Sequence, residues 1–484
     1  MMIISKFRLN RKKKIYALLK DLKSFIAKTT SNRNTINYLY YLSKFSNIPQ
    51  KNLQNELKII LFKNFENRNG KFSSIFYLRY IFFYSIKFLL ISFYIIFFSK
   101  KISTKHYCDL IVDDLDKDNT PIRFYGLKKY FNIIFVSNNN YLKIKKNYIF
   151  SKFRGCSKNI FFIKNPFIIL KIFFLTIYYS VYSRNNLFPF LIEIFKTISR
   201  SETIFEEIKS NFLLQERHYN SSDLKNFIYK RKGGKYSCVT QKNILQINGV
   251  GMYVYSDIFF SLGRKTAKYL KKYGGETKKI LPIGSLAMEL NYYKRKDKND
   301  LKKYDLLVFA SDHNKMFHSG YDNYYSEYLK HFEWIKKFSI ENPKLKVGIK
   351  LKHVVKDQTV LNKFNDVDNV KFLVDRKYLS DSYFYAHQAK SICTWSSTLA
   401  FEFLGQGRVV YFCDPNFKNI SYLPNDTYIK KFKINTYNKF KKKIYEQIKN
   451  KKSRFFKNKK LQEDFCLNSK DVSKNINYFL KKLN

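Results

Sequence analysis

Between Ala389 and Pro415 the chain reads AKSICTWSSTLAFEFLGQGRVVYFCDP. The pattern changes period three times in that span. Ser391 to Trp395 predicts a short strand, Ser396-Ser397-Thr398 a turn, and Leu399 to Leu404 an apolar helix halted by Gly405 and Gly407. Arg408 to Phe412 predicts a second strand, rich in β-branched and aromatic residues. The same alternation fills the second half of the chain. Strands are expected at Leu306 to Ala310, Lys346 to Lys350 and Val370 to Leu373, with helical patterns at Tyr324 to Ile340 and Ser380 to Gln388 between them. The first half is less regular. His106 to Val112, Asn132 to Val136, Tyr236 to Gln241, Asp257 to Leu262 and Lys279 to Ile283 have strand character, and Phe124 to Phe131, Leu187 to Phe212 and Thr266 to Tyr273 have helical character.

Strand and helix in turn predict an α/β chain with two Rossmann-like lobes, since parallel strands need crossover helices. The expected organisation is a basic helical region at 1–103, a first lobe at 104–285 with a hydrophobic insertion near 161–182, a second lobe at 286–434 and basic helices at 435–484. Two apolar runs interrupt this plan. Ile81 to Phe98 is 18 residues with one charge, Lys87, and Phe167 to Tyr182 carries only Lys171. A spanning helix takes about 20 apolar residues. Basic flanks, abundant Phe and Tyr, and lysines able to snorkel point instead to helices lying in a membrane interface, with core helices of a Phe-rich protein and a true span as the alternatives.

The formal charge of +54, from 91 Lys+Arg against 37 Asp+Glu, would ordinarily direct attention to nucleic acid. Here the lysines are spread along the chain, and no zinc-finger spacing, RNP signature or arginine-rich block accompanies them. The charge favours anionic partners such as phospholipid headgroups, nucleotide phosphates or a charged glycan, without specific nucleic-acid recognition. Cys108, Cys156, Cys238, Cys393, Cys413 and Cys466 are scattered, with no CxxC pair and no His at ligand spacing, so no metal site or disulfide framework is expected. The N-terminus MMIISKFRLNRKKK lacks the charge-then-apolar order of a secretory signal. The expected location is the cytosolic face of a membrane.

Candidate chemistry gathers at strand ends, where parallel sheets bind ligands. Glu402 is a carboxylate in an otherwise apolar helix and demands a partner. Thr398 shares its face one turn earlier. Ser396, Ser397 and Thr398 at the helix start suit phosphate oxygens and Glu402 suits ribose hydroxyls; the plainer alternative is that Ser397 is an N-cap and Glu402 pairs with a lysine. Lys350 and His353 close an earlier strand and offer positive charge near a leaving group. Asp113 and Asp114, after the first strand of the first lobe, lie at a strand end, or else are two solvated acids opening a loop. Ser311-Asp312-His313 also follows a strand.

The run TWSSTLAFEFLGQGRVVYFCDP resembles the donor-nucleotide segment of GT-B glycosyltransferases, nearest the bacterial surface-polysaccharide branch with the CDP-glycerol glycerophosphotransferases and CMP-sugar transferases. His353 falls where that branch has a His-Pro histidine, although Val354 replaces the proline, and no Gln-His-Gly is present in QKNILQINGVGMYVYSDIFF. The resemblance covers roughly Tyr236 to Asp414. It implies a nucleotide-activated donor, a glycan or lipid-linked acceptor in the first lobe with Asp113 or Asp114 as the candidate general base, and Gly284-Ser285 at the lobe crossing, close to the donor. Thr394, eight before Glu402, breaks the paired-glutamate pattern of retaining members, so the resemblance implies inversion. No Asp-x-Asp after a first-lobe strand stands in a convincing metal-binding context, the acids after Asp113 continuing as a loop through Asp116 and Asp118, so neither a required metal nor another cofactor is expected. A degenerate, non-catalytic scaffold and a nucleic-acid-binding protein are the alternatives.

Overall fold

The structure, a computed structural model, describes residues 15–66, 71–99, 101–102, 105–113, 121–124, 126–136, 156–216, 221–242, 253–267, 270–271, 274–293, 303–310, 322–351, 358–373, 380–415, 427–467 and 470–483. Two six-stranded sheets, parallel throughout, organise them. The first contains β1 (Leu110–Asp113), β2 (Ile133–Val136), β3 (Phe212–Gln215), β4 (Tyr236–Thr240), β5 (Tyr255–Ser261) and β6 (Glu276–Pro282), in the spatial order β6-β5-β4-β3-β1-β2. The second contains β7 (Tyr304–Phe309), β8 (Val347–Lys350), β9 (Val370–Leu373), β10 (Ala389–Thr394), β11 (Tyr411–Cys413) and β12 (Lys433–Ile434), in the order β9-β8-β7-β10-β11-β12. Counted within its own sheet, the second order is 3-2-1-4-5-6 and the first begins 2-1-3-4-5, the two doubly wound arrangements. Each therefore has a switch point where strand order reverses: β1/β3 in the first lobe and β7/β10 in the second. The α/β fold with two lobes is as the periodicity implies.

Three helices, α1 (Ile15–Ser31), α2 (Arg33–Ser46) and α3 (Gln50–Lys63), precede the first sheet. Leu39, Leu42, Leu53 and Leu57 join them to a core continuous with that of both lobes. Next come α4 (Ile81–Phe97), α5 (Pro166–Ser183), α6 (Phe188–Glu207) and α7 (Asp223–Arg231). The lobe junction carries α8 (Leu286–Tyr293), and the second lobe is wrapped by α9 (Asp322–Ile340), α10 (Ser380–His387), α11 (Thr398–Gly405) and α12 (Tyr437–Lys449). The chain then returns to the first lobe. After α13 (Lys459–Phe465), the backbone crosses at Gly263, where an added Cβ would lie 2.5 Å from the Phe465 carbonyl carbon. Helix α14 (Val472–Lys481) then buries Val472, Ile476 and Leu480 among Leu110, Val112 and Phe124 on one face of the first sheet.

Several elements depart from expectation. Leu187 to Phe212 is not one helix: α6 stops at Glu207 and the last part turns into β3, the central strand on which the first sheet is threaded. Phe124 to Phe131 forms two short 3-10 turns, Pro121–Phe124 and Leu127–Lys129. Of the expected helix Thr266 to Tyr273, the start is turn at 264–267, where the Thr266 hydroxyl donates to Gln241 Oε1 at 2.9 Å and accepts from Gly263 N–H at 2.9 Å, while 268–269 and 272–273 lie outside the described residues. The expected strand Arg408 to Phe412 starts later, at Tyr411; Arg408 makes an isolated bridge to Phe455 and donates to the Ala389 and Lys390 carbonyls.

The two apolar runs form α4 and α5, which lie side by side on α6. Phe88 of α4 stacks on Phe173 of α5 with centroids 6.4 Å apart and meets Phe195 of α6 edge-on at 4.8 Å. Their inner faces are buried through Phe88, Ser92, Ile95, Ile169, Ile172 and Thr176. Their outer faces are not covered: Phe82 is 75% exposed, Phe97 76%, Phe167 77% and Phe174 63%. Lys87 and Lys171 are exposed as well. Both helices are long and apolar enough to cross a membrane, yet each spends one face on the protein's own core.

Candidate functional site

The two switch points are joined by a buried polar seam. On the first-lobe side, Asp113 ends β1 and Glu216 follows β3, its N–H donating to the Asp113 carbonyl at 3.1 Å. Arg123, from the connection after β1, lies 3.5 Å from Glu216. On the second-lobe side, Glu402 projects from α11 and is 5% exposed. Between them stands the junction Gly284-Ser285. Gly284 has φ +97°, a conformation open to glycine, and its N–H donates to the Leu262 carbonyl at 3.1 Å. Ser285 thereby begins α8, accepting from the Met288 N–H at 3.2 Å, while its hydroxyl donates to Glu402 Oε1.

Glu402 receives a second hydroxyl. Tyr383 of α10 donates to its Oε2 at 2.7 Å. Burial raises the Glu402 carboxyl above its ordinary range, and the bonds from Ser285 and Tyr383, with the nearby Arg123 charge, pull it back. The sequence-level choice between a ribose ligand and a lysine partner meets a third arrangement: both carboxylate oxygens are taken by protein hydroxyls, one from each side of the lobe junction. Two hydroxyls on one carboxylate is also the pattern that a ribose presents.

One turn earlier, Ser396, Ser397 and Thr398 are half-buried at the carboxyl end of β10, beside β7. Ser397 occupies the N-cap position with extended backbone, φ −154° and ψ 139°, but its side chain accepts no capping bond. Lys350 ends β8 opposite Phe309 of β7; it is buried, and its ammonium donates to the Leu351 carbonyl. His353, Asp114 and the run Ser311-Asp312-His313 lie outside the described residues.

Asp113 occupies a different environment from the solvent-facing base that strand-end position suggests. It is 2% exposed and clamped between Lys225 of α7 at 2.7 Å and Arg200 of α6 at 3.1 Å. Both carboxylate oxygens are committed to these cations. The structure thus brings Ser285 and Glu402 into contact, sets Ser396 to Thr398 one turn away, and leaves Asp113 tied to the first-lobe helices. Arg123, Glu216 and Tyr383 complete the seam and were not singled out in the sequence. Tyr383 sits in SDSYFYAH, whose tyrosines and phenylalanine look alike in a chain this aromatic. Arginine is scarce beside lysine here, which was the one signal that Arg123 offered.

A cavity of about 290 Å³ lined by Tyr107, Asn211, Tyr229 and Gly234 lies at the amino ends of β3 and β4, the edge opposite the switch point. It is poorly placed for the chemistry of a parallel sheet. Elsewhere, His331, Cys393 and Cys413 meet inside the second lobe with ligand atoms within 4.8 Å of one another.

No family model and no curated protein matches the chain. Among solved structures, it is similar to S. aureus MnaA in complex with UDP, at 12% identity and a TM-score of 0.46, over 77% of this chain and 97% of that one. It is similar to UDP-GlcNAc 2-epimerase from Neisseria meningitidis bound to UDP-GlcNAc, at 13% identity and 0.44, over 77% and 99%. It is also similar to the wall teichoic acid polymerase TagF, at 11% identity and 0.43, over 84% and 97%. At these values the fold and the site stand on the chain's own sheets and contacts.

Proposed function

We propose that this chain is a GT-B-type transferase that moves a sugar or polyol phosphate from a nucleotide-activated donor to a surface-polysaccharide or lipid-linked acceptor. The observation that carries the proposal is the polar seam linking two doubly wound switch points, with Ser285 and Glu402 bonded across it. A ligand shared between such sheets sits outside their carboxyl ends. In this reading the donor phosphates take the Ser396, Ser397 and Thr398 hydroxyls and the N-terminal N–H groups of α11. The ribose exchanges with the Ser285 hydroxyl on Glu402, and Gly284 leaves room for that approach.

Negative charge grows on the leaving nucleotide during glycosyl transfer and must be met by fixed positive charge or oriented dipoles. Lys350 with the α11 terminus supplies these in the proposal, with His353 added, and the transfer inverts the reacting carbon. Asp113 holds α6 and α7 to β1, which leaves Asp114, the next residue, as the proposed base that takes the acceptor proton. The exposed aromatic faces of α4 and α5 fit a cytosolic membrane surface, where the high positive charge would favour anionic lipid and keep the enzyme beside a lipid-linked acceptor.

The test is a thermal-shift screen of the purified chain in physiological salt against CMP, CDP, UDP, GDP and their sugar or glycerol conjugates. The proposal expects selective stabilisation by one base, lost in Glu402→Ala. A non-catalytic scaffold is the second reading, favoured by the occupation of both Glu402 oxygens by protein hydroxyls. It expects no nucleotide to shift the transition.

A further inference from the structure

We propose that His331, Cys393 and Cys413 form a site for one zinc-like divalent cation inside the second lobe. Cys393 lies on β10 and Cys413 at the end of β11; Cys393 pairs with Tyr411, so the period-two pleat puts both sulfurs on one face of the sheet. His331 reaches them from α9. All three are fully buried.

Two observations separate this cluster from three residues that merely pack together. The first is geometric: the donor atoms converge within 4.8 Å, and tetrahedral bonds of about 2.0 Å to nitrogen and 2.3 Å to sulfur need ligand atoms roughly 3.5–3.8 Å apart, a small contraction. The second is that neither His331 ring nitrogen has a hydrogen-bond partner among the described residues. A buried imidazole nitrogen without a partner forfeits the hydrogen bond that water would give it, and a bound ion would take up one of the two. Its ring is aimed at two sulfurs, the softest donors a protein offers.

Charge selects the cation. Two thiolates and one neutral imidazole carry −2, so a divalent ion leaves the buried site neutral, whereas a monovalent ion leaves an uncompensated charge in an apolar interior. Mixed thiolate and imidazole donors favour zinc over magnesium or calcium, which take oxygen. Binding releases the two thiol protons to solvent, so metal uptake is proton-linked. The consequence would be structural: β10 runs directly into Trp395-Ser396-Ser397, so the ion would brace the strand that presents the proposed phosphate turn. This inference does not depend on the enzyme reading.

The experiment uses the full chain, purified without chelator, with metal content measured by plasma mass spectrometry and cobalt(II) added to chelator-stripped protein. The expected result is about one zinc per chain, a sulfur-to-cobalt charge-transfer band in the near ultraviolet, and a lower melting temperature after chelation. Cys393→Ser and Cys413→Ser should each lose the band, whereas Cys238→Ser, which removes a buried thiol on β4 of the other sheet, should keep it. Folded wild-type protein with substoichiometric metal and no cobalt band would overturn the proposal, and so would a Cys393–Cys413 disulfide or a band that survives in Cys393→Ser. If the serine variants fail to fold, the wild-type metal content and cobalt spectrum still decide.

Discussion

Replacing Asp113 with Asn separates two accounts of that residue. As a base it would be dispensable for folding; as the structure has it, the carboxylate neutralises Lys225, whose side chain is 9% exposed, within a 2.7 Å ion pair. Removing one member of a buried pair costs about 3–5 kcal/mol, chiefly because the remaining charge stays buried with its nearest counter-charge gone. Arg200, 34% exposed, adds little, since water already screens it. For a lobe of this size, about 2–4 °C of melting temperature is lost per kcal/mol, so Asp113→Asn should melt roughly 6–20 °C below wild type. Lys225→Met should relieve most of that loss in the double variant, because the stranded ammonium is gone. The assay is differential scanning fluorimetry of wild type, both single variants and the double variant in one buffer. An Asp113→Asn protein that melts with wild type, or a double variant no better than the single, would refute the argument.

Three further outcomes follow from the geometry. Glu402 holds a raised carboxyl because burial penalises its charge, so its contribution to stability is fully present below the ordinary carboxyl value of 4.5 and is lost as pH rises through the raised folded value. Glu402→Gln should remove this slope, and wild type measured against it should lose stability above pH 4.5 by at most about 1.4 kcal/mol per pH unit; parallel curves would contradict the assignment. Substituting Phe82, Phe97 and Phe174 together by Ser should reduce sedimentation with phosphatidylglycerol vesicles at least about tenfold while leaving the melting temperature near wild type, since all three are exposed; unchanged sedimentation would remove α4 and α5 from any membrane role. Tyr383→Phe should leave one Glu402 oxygen without its hydroxyl and cost about 1–3 kcal/mol in unfolding, read by urea titration; a neutral result would mean that the hydroxyl is replaced by water.

The second lobe was legible because its strands are short apolar runs bounded by turn residues, and β7, β8, β9 and β10 start or end within a residue or two of the pattern. The first lobe was harder to read. Its central strand Phe212–Gln215 follows α6 so closely that the apolar spacing ran on through it, and tertiary pairing with β1 and β4 made it a strand. Glu402 was visible as a charge in an apolar helix, and Ser285 as part of a small-residue junction. That they touch, 117 positions apart, is a property of lobe packing and not of local pattern. Tyr383, Arg123 and the His331-Cys393-Cys413 cluster share that character. Spacing rules look for ligands within one motif, whereas these residues meet only when α9 is laid on the sheet.

The most direct test of the donor site is equilibrium titration of the stabilising nucleotide into wild type and a Ser396→Ala, Ser397→Ala double variant, at low and physiological salt. The account predicts saturable binding at one site per chain that persists in physiological salt and weakens at least about tenfold when the two hydroxyls are removed, as expected for lost charge-assisted bonds to phosphate. Binding that is equal in both proteins and collapses with added salt would be that of a polycation with any polyanion, and would contradict it.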